Sequence, residues 1–272
     1  MSYRVIEQSC IPRNDRRPNE DAIVTTEWFA AIIDGATPKG VSDLEQRSGV
    51  DAATAVADTV QQLAPDADLE HFLLAATDRL GRLCARRDAW PAGTPAASAL
   101  ILSVRRREVW AVGDGWVGIG ADLHHLTHAL EHRLSDVRAA RLTAALLEGA
   151  SVETLRADDI GRAAIEPVLS QEWRFRNRQD VEWGFAMLDG TLPPIEMCRR
   201  FTLGNDAIEV RLASDGYPAI ADDLAGTEAL LRESISLDPL MITSFRATKG
   251  VAPAANSFDD RSFLRAELAP LE

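Results

Sequence analysis

Short apolar runs of strand length and two blocks of helical periodicity take turns along this chain. Tyr3 to Gln8, Ala22 to Thr26 and Trp28 to Ile33 read as strands, the last two as a hairpin. The connection Arg13 to Asp21 between the first two is too polar to be core. Val50, Ala53, Ala57, Val60 and Leu63 then recur at helical spacing, and Leu69, Phe72, Leu73, Ala76, Leu80 and Leu83 do so after Pro65-Asp66, which predicts an antiparallel helix pair. Gly93-Thr94 opens a hairpin of Ala97 to Val104 and Val109 to Val112 around a charged, exposed turn at Arg105 to Glu108. Short strands from Val117 and around Leu126 would continue that meander.

Ser135 to Glu148 and Ser151 to Leu169 read as helices, each with serine at the N-cap, the first stopping at Gly149. Trp183 to Leu188 and Ile195 to Phe201 flank an Asp189-Gly190 turn, and Ile208 to Ala213 follows Gly204-Asn205 in the manner of a hairpin. A helix from Asp223 to Ser234 precedes a closing strand from Ser262. No linker, low-complexity run or internal repeat interrupts the series, so residues 1–272 are expected to form a single α+β domain of layered type.

Composition narrows the function classes. Hydrophobic content of 46% and charged content of 26% are ordinary for a globular chain. The net charge of −13 argues against nucleic acid and against an anionic membrane surface as partners. No segment offers the ~20 apolar residues of a membrane span, and the N-terminus has no apolar signal region, so a cytoplasmic location is expected. Cys10, Cys84 and Cys198 form no Cys-x-x-Cys pair, which removes a disulfide framework and a zinc knuckle. Oligomeric state is not encoded in any of these features.

The chemistry is concentrated in four aspartates that stand where apolar runs stop or start: Asp34, Asp114, Asp215 and Asp259. A strand end is both rigid and open to solvent, so carboxylates placed there by distant segments can converge on hard divalent cations, which prefer oxygen ligands. Glycine follows three of the four and lets the backbone turn tightly. Asp-Gly is equally the commonest hairpin signal, and Asp189-Gly190 is read as an ordinary turn on that ground.

Arg16-Arg-Pro-Asn-Glu-Asp21, Ile32-Ile-Asp-Gly35, Gly93-Thr94, Val112-Gly-Asp-Gly115, Leu212-Ala-Ser-Asp-Gly216 and Asp259-Asp-Arg-Ser262 follow one another in an order and at a spacing that resemble the metal-dependent type-2C protein serine/threonine phosphatases, the PPM family. The resemblance spans about residues 3 to 268. It implies a four-layer αββα sandwich, two antiparallel sheets flanked by helices. It also implies two Mn²⁺ or Mg²⁺ ions with a bridging water as nucleophile, Asp34 between both ions, and the Gly35 carbonyl as a further ligand. Asp215 and Asp259 fall on direct ligands, Glu20 and Asp21 on an acidic pair acting through water, and Asp114 on a residue that joins Asp215 in holding a third, weaker ion. Arg16 falls on the arginine that grips substrate phosphate, with Arg13 and Arg17 competing for the assignment. The implied partner is a phosphorylated protein. A small phosphate monoester, and a catalytically weak domain that binds a phosphorylated partner, are the alternatives.

The chain departs from the family pattern after Asp34-Gly35, where Ala36-Thr37 stands in place of the His-Gly that many members carry, so no imidazole is available there to protonate the leaving alkoxide. Asp260 replaces the usual asparagine. His124, His125, His128 and His132 are read as solvated surface residues rather than a zinc site, since Asp122 to Thr127 has the pattern of a strand and turn. Trp173 to Arg178 is read as a loop with docked aromatics and wet arginines, and Lys249 as a residue whose spacing leaves its place open. A lysine donates as a point charge where arginine donates two parallel bonds. Arg16→Lys is therefore expected to lose far more turnover than conservation of charge suggests, and wild-type kinetics in that variant would count against the role.

Overall fold

The computed structural model describes residues 2–38, 48–85 and 94–271, and Gly93 of the sequence pattern lies outside them. The described strands are β1 (Tyr3–Ile11), β2 (Asp21–Thr25), β3 (Phe29–Ala36), β4 (Ala96–Ser103), β5 (Glu108–Val112), β6 (Gly115–Ile119), β7 (Asp122–Leu126), β8 (Arg199–Thr202), β9 (Ile208–Ala213) and β10 (Arg261–Leu268). They form two five-stranded antiparallel sheets, ordered β1-β10-β9-β6-β7 and β2-β3-β4-β5-β8. The helices are α1 (Ser48–Gln62), α2 (Leu69–Cys84), α3 (Ala129–Leu147), α4 (Val152–Ala157), α5 (Ile160–Leu169) and α6 (Leu224–Leu237).

Strands β3 and β4 are buried on both faces, which is why their sequences are apolar throughout instead of alternating. Ala30, Ile32, Leu100 and Leu102 meet Val117, Val210, Leu212 and Leu264 of the facing sheet. The intervening residues Phe29, Ala31, Ile33, Ala99 and Ile101 point outward into α1 and α2, where Val56, Val60, Phe72 and Leu80 close a second core. Burying one such Leu, Ile or Phe side chain is worth about 1.5–3 kcal/mol, so the two layers lock the register of β3 from both sides. On the far side of the other sheet, Trp116, Ala213 and Phe263 are covered by Leu231 of α6 and by Met241, Val251 and Phe258 of the segment before β10. Helices α3 to α5 pack on one another and reach that segment through Leu240 and Ile242. The expected α+β sandwich is therefore the one observed, and no described helix is long and apolar enough to cross a membrane.

Several local expectations are corrected. The meander does not continue past β5: Gly113 and Gly115, at φ +91° and +126°, carry the chain from one sheet to the other, and β6 pairs with β9. Nor is the Gly204-Asn205 turn a hairpin, because β8 pairs with β5 while β9 pairs with β10. Residues 183–188 form only isolated bridges, Ala97 with Leu188 and Arg176 with Phe185, although Asp189 does order its turn by accepting bonds from the backbone and hydroxyl of Thr191 at 3.0 and 2.7 Å. Helix α3 begins at Ala129, well before Ser135, which is buried inside it; Leu130 and Leu134, one turn apart, anchor the extra turn in the core. Its end is as expected, Gly149 at φ +96° closing a Schellman motif through bonds from Gly149 to Leu146 and from Ala150 to Ala145. The predicted 151–169 helix is two helices, since the Asp159 carboxylate accepts from the Arg162 backbone and caps α5 anew.

Two arginines expected in water are buried. Arg176 is 5% exposed beside Glu172. Arg107, also 5% exposed and at φ 51°, donates to the carbonyls of Gly204 at 2.6 Å and Ala269 at 2.7 Å and to that of Asp206, tying the β4–β5 turn to the chain leaving each sheet. Arg107→Ala leaves three carbonyls short of a charged donor, and a loss of about 3 kcal/mol in urea unfolding is expected, with hydrogen bonds to charged groups worth about 1.5–3 kcal/mol each before water repairs part of the damage.

Candidate metal centre

At one end of the sandwich four strand-end carboxylates lie in or beside one cavity, although among the described residues Asp34, Asp215 and Asp259 do not bring their oxygens within 4.8 Å of one another as a set of three. The pairing of β2 with β3 sets Asp21 directly opposite Asp34, and Asp34 faces Ser98 on its other side. Asp215 follows β9 and Asp259 precedes β10, and both line one cavity of about 170 Å³ with Asp34. Asp34 and Asp215 are close enough to share a hydrogen bond, and Asp21, Asp215 and Asp259 all act on the charge of Asp34. Gly35 is required by packing here: a Cβ would lie 2.1 Å from the Gly49 carbonyl oxygen of α1, and the Gly35 backbone N–H donates to the Glu20 carbonyl at 3.0 Å.

The supports of this cluster come from both ends of the chain. Ser214 and Ser262 each donate a 2.7 Å hydroxyl hydrogen bond to Asp21 Oδ2. Asp260 accepts from the backbone N–H of Arg13 on one oxygen and of Glu20 on the other, both at 2.8 Å, so it fixes the polar loop instead of pointing at the centre. Thr37 donates its hydroxyl to Glu20 Oε1 and accepts from the Gly49 backbone at 3.1 Å. On the rim, Asp259 carries two cations of the chain, Arg13 Nη1 at 3.1 Å and Lys249 Nζ. Arg16 is exposed, with its backbone N–H bonded to Asn14 at 2.9 Å, and it does not line the cavity.

A second group shares Asp215. Asp114, Glu131 and Asp215 each offer a carboxylate oxygen within 4.8 Å of the others. Asp114 sits at the crossing between β5 and β6, and Glu131 in the first turn of α3. His128, just before α3, sets Nε2 3.4 Å from Asp114 Oδ2 and its ring centre 4.3 Å from that of Phe185. The histidines are thus divided. His125 stacks on Trp116 at 3.8 Å, His124 leans on Phe201, His132 lies 2.8 Å from the Thr127 hydroxyl, and His128 is turned into the cavity rather than into solvent. Glu131 escaped the sequence reading because the helix start was set at Ser135; the pair Leu130 and Leu134 is the signal that would have drawn it in.

Crowding of like charge shows in the ionisation of these groups. Burial pushes the Asp21 carboxyl up to about 7 against the pull of Ser214 and Ser262, with Asp259 and Asp260 adding to the rise. Burial, then Asp114 and Asp259, raise Asp215 to about 7. Asp34 is held well above the usual carboxylate range by burial and by Asp21, Asp215 and Asp259, and Glu131 likewise by burial, Asp215 and Asp114. Asp21 Oδ1 and Asp215 Oδ1 are buried without a hydrogen-bond donor among the described residues. A hard divalent cation answers each of these observations: it fits an all-oxygen donor set, relieves the repulsion and gives the orphaned oxygens a partner.

The architecture is that of the PPM serine/threonine phosphatases. The Mycobacterium tuberculosis serine/threonine phosphatase PstP/Ppp superposes with a TM-score of 0.50 at 14% identity, over 99% of this chain and 100% of that one. The catalytic domain of the serine/threonine protein phosphatase PstP in complex with two manganese ions gives 0.51 at 15% identity, over 98% and 99% of the two chains. No protein-family model and no curated protein matches the sequence.

The metal-free protein should show the crowding directly. Asp21, Asp34 and Asp215 keep their protons to higher pH folded than unfolded, so their contribution to stability is complete below the ordinary carboxylate range and is lost as pH rises, for Asp21 and Asp215 toward about 7. Denaturant melts in EDTA are expected to weaken from about pH 4 to about pH 7, a trend that a flat or rising profile over that window would contradict.

Proposed function

We propose that this chain is a metal-dependent phosphatase that hydrolyses phosphoserine and phosphothreonine in proteins, using Mn²⁺ or Mg²⁺ held by Asp34, Asp215 and Asp259 with the Gly35 carbonyl. The observation that carries the reading is the convergence of buried, mutually repelling carboxylates with orphaned oxygens at the strand ends of a PPM fold. The two manganese ions in PstP, which shares that fold, support two ions here. Bound divalent ions supply Lewis acidity that activates water and offsets the charge on phosphate.

The chain's own residues do the rest. Asp34, whose charge is opposed by Asp21, Asp215 and Asp259, would hold both ions together with Asp215 and Asp259. Glu20 and Asp21 act through water, Glu20 being oriented by Thr37 and Asp21 by Ser214 and Ser262. Asp114 and Asp215, joined by Glu131, would hold a third, weaker ion. Arg16, exposed and held through its backbone N–H, would take phosphate oxygens by turning in, whereas Arg13 is committed to Asp259. With Thr37 engaged by Glu20 and Gly49, the run after Asp34 supplies no acid, so the alkoxide of phosphoserine or phosphothreonine has to take its proton from a metal-bound water or another residue, or leave slowly, and substrates with good leaving groups turn over faster.

p-Nitrophenyl phosphate, whose leaving group needs no acid, is the substrate of choice for a first assay. Turnover is expected with Mn²⁺, is expected to vanish in EDTA, and should fall at least ~10²-fold in Asp34→Asn, the scale on which removal of a single catalytic electrostatic group acts. Metal-independent turnover would sink the proposal. Mn²⁺ binding without turnover would favour the catalytically weak domain, and turnover of small phosphates but not of phosphopeptides would favour the small-molecule reading.

A further inference from the structure

Lys249 stands at the Asp259 end of the centre, and its position is built. Arg138, fully buried, pairs with Asp159 at 2.8 Å and donates to the carbonyls of Met241 at 3.3 Å and Ala247 at 3.0 Å. Arg162 Nη1 donates to the Thr248 carbonyl at 3.2 Å, and Arg156 Nε to that of Val251 at 2.9 Å. The backbone is therefore fastened on both sides of Lys249, by three arginines on three different helices.

From this position the ammonium reaches Oδ2 of Asp259, while Arg13 holds Oδ1. Both oxygens of the carboxylate thus carry a cation belonging to the chain. An ion that ligates through Asp259 has to share an oxygen with one of the two, and their like charges compete for it. Arg13 is poorly placed to yield: its N–H is held by Asp260 at 2.8 Å and its carbonyl by the Asn256 N–H at 3.0 Å, and its planar fork binds in one plane. Lys249 presents a compact charge on a flexible stem with a side chain 29% exposed, so it can swing within the cavity it lines. Asp215 and Glu131 also feel its charge, so the lysine offsets carboxylates of both groups.

We infer that Lys249 is a counter-cation built into the centre, competing with the divalent ion for Asp259 and setting how tightly that ion is held. This rests on the metal-dependent reading above. In the ion-free protein the lysine neutralises Asp259 and limits the repulsion within the cluster; an arriving ion displaces it, and the lost ion pair lowers the net gain from binding. Metal affinity is thereby kept below what the carboxylates alone would give, which makes activity responsive to the concentration of free ion instead of permanently switched on.

Isothermal titration of the metal-free chain with Mn²⁺ alone, in wild type, Lys249→Met and Lys249→Arg, tests this. The methionine variant, similar in length but neutral, is expected to bind about ten-fold more tightly, equivalent to about 1.4 kcal/mol. The arginine variant, which keeps the charge, is expected to stay near wild type. A merely structural lysine predicts the opposite sign, because a disturbed site binds metal less well. Equal or weaker binding in Lys249→Met overturns the inference while leaving the metal centre standing. Absence of Mn²⁺ binding in all three chains overturns the metal centre and this inference with it.

Discussion

Like charges held in contact are the constraint on which this molecule is organised. Burial raises the cost of charging Asp21, Asp34 and Asp215, and the nearby Asp259 carboxylate raises it further for all three. No local segment could hold such an arrangement; a turn or a short helix would open to water and separate the charges. It is held because each carboxylate belongs to the end of a strand whose register is fixed by apolar packing on one face or both. The hydrophobic layers of the sandwich supply the free energy that keeps the acidic end closed. Stability is thereby given up at the site and recovered in the core, a common arrangement where function needs an unfavourable cluster.

The polar neighbours of the cluster divide the remaining work. Ser214 and Ser262 hold one oxygen of Asp21 and leave the other unmatched. Asp260 spends both of its oxygens on the backbone of the loop that carries Arg13 and Glu20. Lys249 and Arg13 place positive charge on the side of the cavity where Asp259 stands. Charge is therefore graded across the centre, most negative around Asp34 and Asp215 and partly compensated at Asp259.

Much of this could be read from the chain, and the exceptions have physical causes. The strands β3 and β4 and the helix pair were legible because an apolar run of eight residues, or an apolar face recurring at helical spacing, has few other structural meanings. The strand-end aspartates were legible because the motifs containing them occur in a family order. What was not legible is which sheet a strand joins. Gly113-Asp114-Gly115 and Gly204-Asn205 look alike as turns, yet both lead from one sheet to the other, and only the tertiary cores decide that. Glu131 was missed and His128 read as solvated for a different reason: the start of α3 carries no side-chain cap, so only the spacing of Leu130 and Leu134 marks it. Arg107 and Arg176 look solvated in any window of sequence, and their burial depends on carbonyls and carboxylates supplied from elsewhere.

One feature of the assembly bears on its history in the cell. The hydroxyls that hold Asp21 come from residues 193 and 241 positions further along the chain, and β1 pairs along its length with β10. Contacts of such separation form late, because the entropy of closing the intervening loop must be met before they return anything. During translation the first sheet core can gather around β2, β3 and β4, while Asp21 and Asp34 wait without their partners. In a nascent polypeptide the acidic end of the sandwich therefore stays open to water, its charges apart, until the closing strand emerges.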